Sequence, residues 1–131
     1  MTRKEQRELI FKIVFAREFN DEQDPDIRLE VLEETLLKAD ENVQSYIKDK
    51  ANNIIEKLVE IDKLLNEKTT GWKTARMNKV DLSILRVAVY EILWDEDVPI
   101  KVAINEAIEL SKVYSGNDGP GFINGVLAKF A

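Results

Sequence analysis

Apolar residues recur along most of this chain at three- and four-residue intervals, the spacing of one face of an α-helix, and glycine and proline gather mostly at the joints between such stretches. The pattern predicts an all-α protein. The first helix is expected to start at Thr2, whose hydroxyl can accept from the amide of Glu5 while the Glu5 carboxylate reaches back, and to run to about Phe19. Asp24-Pro25 reads as a cap with proline in the first turn, opening a helix that buries Ile27, Val31 and Leu36; Asp40 is placed to cap the next.

Val43, Ile47, Ile54, Leu58, Ile61 and Leu65 keep helical spacing and predict one long helix of about 30 Å at 1.5 Å per residue, with Asn52-Asn53 as a place for a bend. After the break "NEKTTGW", the run "VDLSILRVAVYEILW" is apolar on nearly every side, as a central helix wrapped by others must be. Pro99 opens a further helix in which Ala103, Ala107 and Ser111 form a strip of small residues, a surface that lets a neighbouring backbone come close. "SGNDGPG" ends it, Asp118 being expected to cap or shape the turn, and a last helix follows over Phe122 to Phe130.

Composition narrows the function classes. A chain of 131 residues suits a single domain, spanning residues 1–131, and no apolar run approaches the roughly 20 residues of a membrane-spanning helix. The start lacks the features of a secretory signal, so a cytoplasmic protein is expected. There is neither histidine nor cysteine, which removes the usual zinc ligands and the commonest general bases and nucleophiles; no metal, cofactor or catalytic residue is expected. The net charge is -6, yet residues 1 to 17 carry +3 and the remainder therefore -9.

The candidate residues each have a plain reading beside a sharp one. Glu106 and Glu109 share a helix face, as metal-binding carboxylates do, but helical di-metal sites draw on several helices and on histidine. The plain alternative is that Asn105 or Glu106 satisfies Arg86, the conspicuous charge of the apolar helix, since a buried guanidinium needs a partner. On the first helix, Lys4, Phe11 and Phe15 fall within about 40° of one another with Arg7 on the flank. Cations beside aromatics suit RNA, while core phenylalanines next to a solvated cationic end explain the same pattern without it. Neither G-x-x-x-x-G-K-[ST] nor G-x-G-x-x-G occurs, which argues against a nucleotide loop.

In this order, "ILRVAVYEI", "VPIKVAINEAIELSKVY" and "FINGVL" closely resemble the bacterial transcription antitermination factor NusB family, across Val80 to Leu127. The resemblance implies a compact domain of two packed helical halves, about 1–68 and 69–131, and no enzymatic activity. It implies binding of single-stranded boxA RNA in ribosomal RNA transcripts, jointly with the ribosomal protein NusE, and assembly of an antitermination complex on RNA polymerase. Carried over residue by residue, the family's RNA contacts fall on Arg3, Lys4 and Arg7, on Phe15 where tyrosine is frequent, and on Asp118 with Phe122; Asp81 matches an acidic position of the partner surface. Glu5 and Gln6 interrupt what is often an arginine run in the family. In this reading Arg86, Asn105 and Glu106 are structural. Two rivals stand beside it: a helical protein-protein adaptor without RNA function, and the similar domain fused to methyltransferases of ribosomal RNA, which the chain's length is expected to set aside.

Overall fold

The computed structural model describes residues 1–18 and 32–131, and among them there are helices and no strand. The helices are α1 (Arg3–Arg17), α2 (helical at residues 32–37), α3 (Glu41–Glu56), α4 (Leu58–Lys68), α5 (Lys79–Trp94), α6 (Ile100–Tyr114) and α7 (Gly119–Leu127), with short 3-10 turns at Thr74–Arg76 and Ala128–Phe130. The expected cap at Asp24, the core positions Ile27 and Val31, and the expected end of α1 at Phe19 lie outside the described residues.

Local signals set most boundaries. Thr2 and Glu5 form the reciprocal cap of α1, with the Glu5 amide donating to Thr2 Oγ1 at 3.1 Å and the Thr2 amide donating to Glu5 Oε1 at 2.9 Å. Asp40 accepts from the Val43 amide at 3.0 Å, as its position before α3 requires. Pro99 stands at the N-cap of α6. The single long helix expected from Val43 to Leu65 is instead two. Asn52-Asn53 sit inside α3, and the break falls at Lys57, whose backbone (φ -95°, ψ 2°) has left helical geometry before α4 resumes. The apolar period runs on across that break, so the pattern hides it.

The chain divides into two compact units, Met1–Ile55 and Glu56–Ala131. The division lies earlier than the expected 68/69, because α4 packs on α5 and goes with the second unit. In the first unit Leu9, Ile10, Phe11 and Val14 of α1, Leu36, and Ile47 and Ile54 of α3 are buried. In the second, α5 is the axis: it contacts α4, α6 and α7, while α6 also contacts α7. Every residue from Asp81 to Val89 is buried, which explains why this helix lacks a polar face. The strip Ala103, Ala107 and Ser111 is buried too, as small residues at a close helix crossing should be.

Candidate nucleic-acid interface

The RNA-contact candidates fall into two groups, one in each unit. On α1, Arg3 and Lys4 are exposed and Arg7 is half-buried. Glu5, which interrupts this cationic start, is committed to the cap. Hydrogen bonds from the backbone and the side chain of Thr2 hold its carboxyl below the ordinary value of 4.5, so its charge is directed at the helix end. Farther along, Lys12 is paired with Glu8 at 3.4 Å. Phe11 is core, whereas Phe15 is half-buried and lies against it with ring centroids 6.1 Å apart. The cation-aromatic face read from the helical wheel is thus core at Phe11 and partly open at Phe15.

In the second unit Asp118 is exposed at the N-cap of α7, but its side chain makes no capping bond. Of the two roles expected for it, capping the helix or shaping the turn, the capping role is corrected: with φ -86° and ψ -7° its backbone lies outside the extended geometry typical of a capping residue. One turn on, Phe122 is half-buried and meets Trp72 edge to face, with centroids 5.3 Å apart. The apolar pattern does not mark Trp72, because a single tryptophan in a joint has no periodic neighbours.

Asp81, expected on the partner surface, is only 6% exposed. Its carboxylate accepts from Ser115 Oγ at 2.5 Å and from Asn78 Nδ2 at 2.8 Å, while its amide donates to Asn78 Oδ1. A carboxylate so engaged and buried has little surface left to offer a partner. Its work is to tie the first turn of α5 to the segment between α6 and α7. Gly119 belongs to the same knot: a Cβ there would run into the Ser115 side chain. Only glycine lets Ser115 turn its hydroxyl toward Asp81.

Arg86 is buried, as expected, and its guanidinium forks onto Asp62 of α4, Nε to Oδ1 at 2.9 Å and Nη2 to Oδ2 at 2.7 Å. Asp62 of α4, which the sequence pattern did not single out, is thus a partner of Arg86. Asn105, expected beside Glu106 to serve Arg86, is exposed; it stands about 200° around α6 from Ala103, away from the buried strip. Glu106 is half-buried, on the same outer side as Glu109, which pairs with Lys112 at 3.1 Å. Among the described residues no group of three or more acidic, His or Cys side chains is placed to hold a metal, and no helix is long and apolar enough to cross a membrane.

Comparison with known proteins adds what geometry cannot. The model of the NusB family matches residues 4–131. Transcription antitermination protein NusB of Agathobacter rectalis is 49% identical over the whole of both chains, and that of Lachnoclostridium phytofermentans 44% identical over 98% of each. Among solved structures, T. maritima NusB superposes with a TM-score of 0.86 at 34% identity, covering 100% of this chain and 91% of that one. A complex of the antitermination factors NusB and NusE with double-stranded RNA shares the fold at a TM-score of 0.80 and 19% identity, covering 99% of this chain and 97% of that one. With a match that runs from Lys4 to the last residue and relatives of equal length near half identity, the chain belongs to the NusB family.

Proposed function

We propose that this protein is a transcription antitermination factor that acts in the cytoplasm with the ribosomal protein NusE, binding single-stranded boxA RNA in ribosomal RNA transcripts and helping to assemble an antitermination complex on RNA polymerase. Membership in the family makes it a binding factor and no enzyme. The observation that carries the reading is the 49% identity, over the full length of both chains, to a protein named for transcription antitermination. That a NusB of the same fold has been captured with NusE and RNA supports the choice of partners.

The RNA surface in this reading has an α1 part, Arg3, Lys4 and Arg7 for phosphates with Phe15 for a base, and an α7 part, Asp118 and Phe122. An aspartate repels phosphate, so Asp118 acts by accepting from base amino groups, and Phe122 offers a stacking face. Because the Asp118 carboxylate is not used in capping, it is available for this. The NusE surface lies around the start of α5, where Asp81 fixes the backbone and Ser115 from inside and exposed carboxylates elsewhere on the chain attract a basic protein.

The test is binding of a boxA-like single-stranded RNA at several salt concentrations. Arg7→Glu is expected to weaken binding and to lower the salt slope by about 0.7 for each single-strand phosphate that is no longer neutralised. Asp118→Asn should leave affinity unchanged or raise it, with no loss of stability. Wild-type affinity in Arg7→Glu at every salt concentration would remove α1 from the site.

A further inference from the structure

The joint between α4 and α5 reads "KTTGWKTARMNK" from Lys68 to Lys79, four cations without a carboxylate, in a chain whose net charge is -6. Its geometry is fixed from several sides. Gly71 takes φ +85°, a left-handed conformation that disfavours any side chain, and turns the chain back. The buried Thr69 hydroxyl lies 2.6 Å from the carbonyl oxygens of both Leu65 and Trp72, its one proton shared between them. Asn66 accepts from the Thr74 amide at 2.8 Å, and its own backbone carbonyl accepts from Lys73 Nζ at 3.1 Å. What this braced turn presents is Trp72, 56% exposed, with its ring edge to face against Phe122.

A tryptophan more than half in water contributes little to a core, yet this turn is held by bonds that fix where it stands. Its neighbour Phe122 comes from a different element and meets it edge to face, so the platform is the open part of the Trp72 ring, steadied by Phe122 and set in a cation-rich segment. Exposed Glu67 directly precedes the turn and lines a groove with Lys73, while the carboxylate that follows, Asp81, is buried and engaged by Ser115 and Asn78, so the turn keeps a cationic excess. A platform of rings beside cations suits a single strand, whose bases stack while its phosphates are neutralised. A basic protein would meet repulsion here instead.

We propose that the turn from Lys68 to Lys79 is a further arm of the single-stranded RNA site, with Trp72 stacking on an unpaired base beside Phe122, and Lys73, Arg76 and Lys79 facing phosphates. The inference rests on the RNA reading above and extends it to residues that neither the family resemblance nor the pattern assigned. Lys73 keeps two ammonium donors beyond the one given to Asn66. Arg76 is exposed in the 3-10 turn and Lys79 exposed at the first position of α5.

The test uses the full chain and a boxA-like RNA oligonucleotide, with and without NusE. Trp94→Phe leaves Trp72 as the only tryptophan, and its fluorescence is expected to be quenched as RNA is added. Trp72→Ala should weaken RNA binding about 5- to 150-fold, the range found for loss of one base-aromatic stack, with thermal stability nearly unchanged and Trp72→Phe restoring most of the affinity. Arg76→Glu and Lys79→Glu should each lower the salt slope by about 0.7. Unchanged affinity in Trp72→Ala together with weakening by Arg7→Glu would overturn this arm and leave the RNA reading standing. Absence of RNA binding by the wild type, alone and with NusE, would overturn both. Loss of NusE binding in Trp72→Ala with RNA affinity intact would assign the turn to a protein surface and overturn the proposal.

Discussion

At the scale of single residues, the polar groups inside α5 matter most, because each had to find a partner. Arg86 forks onto Asp62, whose side chain is 26% exposed. Arg86→Ala leaves that carboxylate half-sheltered, so a loss of about 2 to 3 kcal/mol is expected in chemical denaturation, near the low end for breaking a buried pair. Arg86→Lys should also destabilise, since a single ammonium cannot reproduce the fork. A loss below about 0.5 kcal/mol, the range of ordinary surface changes, would contradict the pairing. Glu5 offers a pH test. Its carboxyl titrates below 4.5 in the folded chain because Thr2 donates to it; the cap's contribution is therefore complete above that value and lost as pH falls through the lower, folded one. An NMR titration of the Glu5 carboxyl should give a midpoint below 4.5, and Glu5→Gln should abolish the acid-side change at the Thr2 amide. The need for an Arg86 partner is legible in sequence, since a guanidinium between Leu85 and Val87 in an apolar run is conspicuous; the partner is not, because Asp62 lies 24 residues away on another helix.

At the scale of elements, what can be read is what is local. Thr2 with Glu5, Asp40 with Val43, and Pro99 before α6 act over three or four residues, and the structure has all three. The break at Lys57 has no glycine or proline to announce it, and Asp118 stands at a cap without capping. The outward position of Asn105 is legible on a wheel drawn through Ala103, Ala107 and Ser111, which puts it on the far side. The knot of Asp81, Ser115 and Gly119 leaves no trace in the pattern because Ser115 and Asp81 are 34 residues apart. This knot fixes how the segment carrying Asp118 leaves α6 and enters α7, so its packing is open to a double-mutant cycle. Gly119→Ala should cost about 1 to 3 kcal/mol, as forced overpacking does. In a Ser115→Gly background, which removes the obstructing side chain and the bond to Asp81, the same change should cost clearly less, giving a coupling of at least about 0.5 kcal/mol. Additive losses would mean that the two residues do not share space. Asp81→Lys, by the same geometry, is expected to lower the melting temperature whether or not NusE is present.

At the scale of the whole molecule, charge decides how much the chain can do alone. The first 17 residues carry +3 and the turn from Lys68 to Lys79 carries +4, so the remainder carries -13; against that background few phosphates can be neutralised without help, and non-specific affinity for RNA is expected toward the weak end of about 10⁻⁴ to 10⁻⁶ M at physiological salt. A basic ribosomal protein bound to the acidic remainder would cancel part of the repulsion felt by RNA and extend the surface it meets. The two ligands should then bind cooperatively, with a coupling of about 1 to 3 kcal/mol, and linkage requires RNA to tighten the protein pair by the same factor. Titrating boxA-like RNA with this protein, with NusE and with both, and then titrating the proteins against each other with and without RNA, measures both sides of the cycle. Raising the salt should shrink the coupling, because the repulsion it relieves is screened over about 10 Å at 0.1 M. Additive binding in the mixture at low salt would reject the cooperative mechanism, and a coupling that does not fall with salt would show that interactions other than charge relief produce it.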